Sequence, residues 1–385
     1  MKFKEFLSNF EDLVEASPSE ILGEGDKILV LSDLHLGNGG GRDDFLHNRD
    51  LALASLGRFY LPGGWKLVLN GDIEDLSKFD FAPIRGAWTE LYDILDAFHA
   101  EGRLRRIVGN HDLGLVLEKD NPYPALPSLR YEWGGRRLLL FHGHQASGYY
   151  LRHGDLQDFA LRWIARPLGI RNGSVAGDSR KRYKTERRIY RAARILGLVA
   201  IAGHTHRPLF ESRSKWDSLR FTIEALIEEF SEATDDRRDE IRDLVAVYRE
   251  ELERMKRRDR RLDKLRSLYD EGSLLVPCYF NSGSGTGRNG FTALEIADSG
   301  IGLVHWAEGG TRPYIESEAV ESQTLAETGY TRYVLRREGL ARIFDRIELL
   351  TLGEGPGGPR SSQGWAAGRI TPLPPKRTMS PPPRG

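Results

Sequence analysis

Five short β-type runs, each ending in a cluster of Asp, Asn or His instead of an ordinary turn, constrain this chain more than any other feature. Lys27 to Ser32 (KILVLS) runs into DLHLG, Lys66 to Asn70 (KLVLN) into GD, and Leu104 to Val108 (LRRIV) into GNHD. Arg136 to Phe141 (RRLLLF) runs into HGH, and Gly197 to Ala202 (GLVAIA) into GHTH. Helical segments alternate with these runs, the first near Asp43 to Tyr60, so the fold class is α/β. Open α/β sheets assemble their sites from loops at the carboxyl ends of strands, which is where these polar clusters fall.

The opening MKFKEFLSNFEDLVEA spaces Phe3, Phe6, Leu7, Phe10, Leu13 and Val14 for a helix and lacks the apolar core of an export signal. Residues 1–26 are therefore expected to be a docked N-terminal helix, and 27–308 the main domain. Two helical insertions interrupt it. The first, 155–194, is basic, with Arg187, Arg188 and Arg191 among its cations, and is expected to bind an anionic substrate. The second, 214–271, carries Ile241, Leu244, Val245, Tyr248 and Leu252 at helical spacing, which suits a helical arm packed on the core or on a second copy of the chain. The run Leu274 to Trp306 reads as three strands, the last two joined around Asp298 to Gly300. A C-terminal extension, 309–352, precedes a Pro-, Gly- and Ser-rich tail, 353–385, whose composition predicts disorder.

Charge excludes a global pull toward nucleic acid or membrane, because Lys plus Arg and Asp plus Glu both total 56. The single cysteine, Cys278, offers neither an internal disulfide nor a structural zinc site, and a reducing cytoplasm is the expected compartment. No run approaches the 18 or so apolar residues of a membrane span, which leaves peripheral contact as the only expected membrane association.

The strand-end residues mix hard oxygen donors with imidazoles, a set that suits Mn, Fe, Ni or Zn. Asp33 and His35 sit two apart, where strand alternation is expected to aim both toward one face. Asp72 ends the next run and is placed to bridge two ions. Asn110, His142, His204 and His206 complete two half-sites. Each dipeptide alone occurs widely by chance; the joint occurrence in this order carries the reading.

With these residues the chain resembles the calcineurin-like metallophosphoesterases, whose pattern is D-x-H, G-D, G-N-H-D/E, H and G-H-x-H. The matching residues are Asp33-Leu-His35, Gly71-Asp72, Gly109-Asn-His-Asp112, His142 and Gly203-His-Thr-His206. The resemblance implies a four-layer αββα sandwich of two mixed sheets, with Asp33, His35, Asp72 and His206 holding one divalent ion. Asp72, Asn110, His142 and His204 would hold the other, and manganese is the expected metal, with iron, zinc or nickel compatible. Two such ions share a hydroxide and clamp a phosphoryl group for in-line displacement, so a phosphodiester, phosphomonoester or pyrophosphate bond is the expected target. His111 is placed to protonate the leaving oxygen. Asp75 resembles the acid that orients this histidine, and His144 is expected to touch substrate or brace a ligand.

The protein phosphatase branch carries arginines that this chain replaces with Leu76 and Val108. The run Leu31-Ser-Asp-Leu-His-Leu36, with Gly203-His-Thr-His-Arg-Pro208 and the basic insertion, resembles the UDP-diacylglucosamine diphosphatase branch, which implies a lipid-linked substrate. That branch carries arginine at the place of His111 and aspartate at that of His144. A scaffold that only binds partners would need none of these donors.

Overall fold

The computed structural model describes residues 3–116, 121–146, 179–258, 274–310 and 312–351. Its apolar runs divide between two mixed sheets. The central strands of the first are β2 (Ile28–Leu31), β3 (Lys66–Asn70) and β4 (Leu104–Ile107), parallel neighbours in register. Short β5 (Ala125–Leu126) closes one side. On the other side β12 (Phe291–Ala297), β13 (Gly300–Glu308), β15 (Tyr330–Gly339) and β14 (Glu321–Thr324) follow as antiparallel strands.

The second sheet is built on β7 (Arg136–Phe141), β8 (Val199–Ala202) and β11 (Tyr279–Asn281), again parallel neighbours. Antiparallel β6 (Ser128–Trp133) and β1 (Ser19–Ile21), which runs parallel to β6, extend one edge. The hairpin of β9 (Leu209–Phe210) and β10 (Arg213–Ser214) extends the other.

Side-chain alternation builds the layers. Ile28, Val30, Val68 and Ile107 face the second sheet and join its Leu138, Leu140 and Ile201 in one core. Leu29, Leu31, Leu67 and Leu69 face the opposite way, onto α2 (Arg49–Ala54), α3 (Phe81–Ala87) and α4 (Thr89–Ala100). The outer face of the second sheet is covered by α1 (Phe3–Ala16) and α5 (Ser179–Leu196). Phe10 of α1 meets Phe141 edge-on with ring centroids 5.4 Å apart. The result is the four-layer αββα sandwich, and strands buried on both faces explain why β2, β3, β7 and β8 read as continuous apolar runs.

The arm is a helical hairpin of α6 (Lys215–Phe230) and α7 (Asp235–Arg258). Ser214 caps α6 by accepting the Asp217 amide at 3.2 Å, and Leu219, Leu226, Ile241 and Tyr248 are buried. After α8 (Pro313–Glu318), β15 and α9 (Leu340–Leu350) are continuous with the main sandwich: β15 pairs along all of β13, and α9 buries Ile343, Phe344 and Ile347. The β12–β13 turn falls at Asp298 and Ser299, both with positive φ, as a tight hairpin requires. Among the described residues, no helix is long and apolar enough to cross a membrane. Residues 155–178 of the basic insertion, 259–271 of the arm and the 353–385 tail lie outside the described residues.

Candidate metal centre

The carboxyl ends of β2, β3 and β4 from one sheet meet those of β7 and β8 from the other, and the expected donors converge there. Asp33 Oδ1 lies 3.1 Å from His206 Nε2, which in turn lies 3.1 Å from His35 Nε2. Asp72 Oδ2 lies 3.0 Å from His142 Nε2 and 3.9 Å from His35 Nε2. Among the described residues three groups result, Asp33, His35 and His206 beside Asp72, His142 and His204, and His35 again with Asp75 and His111, with the donor atoms of each within 4.8 Å of one another. Asn110 lies at the same loop end, half-buried, next to His111.

Convergence arises differently from the strand alternation expected for Asp33 and His35. Both residues lie beyond the end of β2 and take left-handed backbone, with φ of 55° and 54°. Asp72, His204 and His206 do the same, at 54°, 67° and 54°. Such conformations cost side chains energy and persist only where the surroundings hold them, as at functional sites. Here the hold is a set of cross-loop hydrogen bonds: Asp33 N donates to Gly71 O at 3.0 Å, His35 N to Asp72 O at 3.1 Å, and Gly203 N to His142 O at 2.9 Å.

The loops also need their glycines. A Cβ on Gly71, whose φ is 86°, would stand 2.5 Å from His142 Nδ1, and one on Gly109 would collide with the Asp72 carboxylate.

Each carboxylate is oriented by donors. Asp33 accepts the His204 amide at 3.0 Å and the Ser32 hydroxyl, and Ser32 in turn meets Ser282 at 2.7 Å. Asp72 Oδ1 accepts the His111 amide at 2.7 Å, which leaves Oδ2 for the cluster. His142 Nδ1 donates to Asn70 O at 3.0 Å, which fixes the tautomer so that Nε2 faces Asp72. Beneath this shell Asp112 accepts the amides of Gly109 and, at 2.9 Å, Ile73, tying the two loops together, and the buried Arg106 pairs with Glu74.

Electrostatics and unused donors test whether the residues fit divalent ions. Burial holds His35 neutral down to about 4 and His204 down to about 3. Burial would do the same to His142, yet Asp72 and Asp33 push it up to about 10. The buried carboxylates thus demand positive charge, while His204 Nε2 is buried with no hydrogen-bond partner. Neutral imidazoles, carboxylates and an unused buried nitrogen fit divalent cations.

Beside the cluster, His111 Nδ1 lies 3.0 Å from Asp75 Oδ1 and 2.9 Å from Ser77 Oγ. Asp75 reaches toward His35 as well, at 3.9 Å from Nδ1. His144 is buried with its ring centroid 5.4 Å from that of His142, and burial, reinforced by His142 and His204, lowers its pKa.

The three arginines of the basic insertion singled out above lie on α5. Arg191 is exposed with its guanidinium 4.2 Å from the Phe3 ring centroid, and no described contact joins it to the cluster. Arg188 Nη1 donates to the Ala146 carbonyl at 3.1 Å. Arg187, on the same helix, is half-buried. Ile189, Tyr190, Ala192 and Ala193 form the apolar stripe by which α5 packs into the core.

Sequence reasoning missed Ser32, Asn70, Ser77 and Arg207. Ser32, Asn70 and Arg207 adjoin motif residues, a weak signal; Ser77 shows nothing in sequence that marks a role.

Residues 26–208 match the family model described as calcineurin-like phosphoesterase. No curated protein matches the chain by sequence. Among solved structures, the chain is similar to YfcE, a phosphoesterase from E. coli, at 14% identity over 72% of this chain and 91% of that one, with a TM-score of 0.31. A Vps29 single mutant from Entamoeba histolytica shares 14% identity over 74% and 94%, TM-score 0.30. A dimetal phosphatase from Danio rerio shares 10% over 73% and 96%, TM-score 0.33. Scores this low carry no argument of their own, and the assignment rests on the family match and its motif residues. Residues 26–208, the part of the chain that carries the motif residues, are thus similar to the calcineurin-like phosphoesterases.

Proposed function

We propose that the chain is a dinuclear metal-dependent phosphoesterase in which Asp33, His35 and His206 hold one divalent ion and His142, His204 and Asn110 the other, with Asp72 between them. The observation that carries this reading is the position of Asp72 Oδ2, 3.0 Å from His142 Nε2 and 3.9 Å from His35 Nε2. Bound divalent cations supply Lewis acidity toward phosphoryl oxygens and acidify water near neutral pH. The chain's own residues do the rest. Asp33 and Asp72 balance the charge of the centre, and the Asn70 carbonyl keeps His142 in its ligating tautomer. His111 delivers a proton to the leaving oxygen from Nε2, because Asp75 and Ser77 occupy its Nδ1.

Manganese is the ion to test first, given the mixed carboxylate and imidazole donors. The bond cleaved is a phosphomonoester, phosphodiester or pyrophosphate. A UDP-diacylglucosamine-type substrate at a membrane surface is the alternative, with Arg187, Arg188 and Arg191 as its candidate anion contacts. The deciding experiment is hydrolysis of a bis-aryl phosphodiester, an aryl monoester and a nucleotide diphosphate by the Mn2+-loaded full chain. Turnover of at least one, abolished by chelation and restored by Mn2+, is expected; a metal-replete protein inactive on all three would sink the proposal.

A further inference from the structure

Helix α5 meets the loops of the metal centre at two residues, the buried Glu186 and the half-buried Arg188. Glu186 is fully buried and accepts two guanidinium donors of Arg207, Nε at 3.2 Å and Nη2 on its other oxygen. Arg207 is the residue directly after His206. Two positions along the helix, Arg188 Nη1 donates to the carbonyl of Ala146, the last residue of the short turn His144–Ala146 that follows His142. The helix itself cannot drift, because Ile189, Ala192 and Ala193 are buried in the central core and the Tyr190 hydroxyl accepts the Val276 amide at 3.3 Å.

We propose that α5 is a positioning element of the metal centre: Glu186 sets His206 through Arg207, and Arg188 sets His142 through Ala146. This rests on the ligand assignment above. His206, directly before Arg207, is held in left-handed backbone at φ 54°, a state that does not persist unless neighbouring structure enforces it. A two-point pair between a guanidinium and a buried carboxylate supplies such enforcement, since turning Arg207 away would strand the Glu186 charge in the core. The Arg188 contact is lighter, a single charge-assisted hydrogen bond to a backbone carbonyl, but it fixes the other loop to the same rigid body. The two ligand loops, delivered by parallel neighbours β7 and β8, are thereby held in one relative position by a helix inserted between those strands in sequence. Partners that orient metal ligands from outside typically change metal affinity by about 10- to 100-fold.

The test is Mn2+ binding to the full chain by calorimetry and equilibrium dialysis, alongside thermal unfolding of the chelated protein. His206→Ala and His142→Ala identify which binding event belongs to which half-site. Glu186→Gln, which keeps shape and removes charge, is expected to weaken the His206 ion about tenfold and leave the other within about threefold. Arg188→Leu is expected to weaken the His142 ion by a smaller factor and spare the first. Glu295→Gln breaks the buried pair with Arg332 in the other sheet, so it should lower the melting temperature without changing either affinity. Wild-type affinities in both α5 variants would overturn the inference, as would losses at both ions that track the melting temperature equally in all three variants. A wild-type chain that binds no Mn2+ would overturn the ligand assignment and this inference with it. If Glu186→Gln fails to fold, Arg188→Leu decides alone: loss confined to the His142 ion supports the brace, and unchanged binding overturns it.

Discussion

Asp75 and His111 form a tight pair, with Oδ1 and Nδ1 3.0 Å apart. Burial alone would raise the Asp75 carboxyl, but hydrogen bonds from His111, Lys78 and Ser77 hold it well below the usual carboxylate range. Burial likewise opposes charge on His111, and the Asp75 bond and the Asp72 carboxylate outweigh it, so its pKa is raised. The pair therefore favours a protonated ring. His111→Ala should retain two Mn2+ per chain and lose about 10²- to 10⁴-fold in kcat on substrates with poor leaving groups. Activated aryl esters, which need no proton, should lose far less. Equal losses across a leaving-group series would exclude the acid role.

Asp72 is the one carboxylate expected to touch both ions, its Oδ1 being occupied by the His111 amide. Asp72→Ala should abolish turnover and bind clearly fewer than two Mn2+ per chain, read by elemental analysis after dialysis. In the wild type, chelation should lower the melting temperature, because ions that bind only the folded chain stabilise it by mass action. A melting temperature indifferent to chelator, or wild-type metal content in Asp72→Ala, would refute the bridging position.

Gly109 approaches the Asp72 loop so closely that an added Cβ would lie 2.5 Å from the Asp72 amide nitrogen, a backbone atom with nowhere to move. Gly109→Ala should cost about 1–3 kcal/mol of stability and most of the activity. Gly114→Ala serves as comparison, since its Cβ would make an ordinary 3.6 Å contact with Leu76; a change within about 0.5 kcal/mol is expected there. Similar urea midpoints for the two variants would mean that the loop at Gly109 yields.

The site was legible because its donors end apolar runs, and such runs survive as strands whatever surrounds them: Lys66–Asn70 and Arg136–Phe141 fold with the bounds read from sequence. Ser128–Trp133 lies outside those runs, although its buried Leu129 and Tyr131 alternate with polar residues as those of a half-buried strand do. The extension past residue 308 read as separate because its polar strand Tyr330–Gly339 shows its purpose only against β13. The left-handed turns at Asp33 and His35 were hidden for another reason: they are imposed by hydrogen bonds that their amides donate to the carbonyls of Gly71 and Asp72, distant in sequence. Part of what α5 does was hidden too. A helix rich in arginine reads as a ligand-facing or solvated surface, and only burial reveals that Glu186 and Arg188 are anchored to protein.

His305 on β13 offers a pH test away from the metal centre. Its ring is 9% exposed, and Nε2 donates to the Asn289 carbonyl at 2.9 Å. Burial, with the nearby Arg312 and Lys215 cations, lowers its pKa to about 4, against an unfolded value of about 6.5. Between these values the unfolded chain binds a proton that the folded chain refuses, so stability is full above about 6.5 and falls as pH drops toward 4. From pH 7 to pH 5 this one group should cost about 2 kcal/mol. His305→Gln removes the titrating ring and keeps an amide donor for Asn289. Urea unfolding of chelator-treated wild type and variant at both pH values isolates the difference, because the empty metal centre titrates alike in each. The variant should lose about 2 kcal/mol less than the wild type over that interval. Parallel losses in the two proteins would show that His305 accepts its proton in the fold.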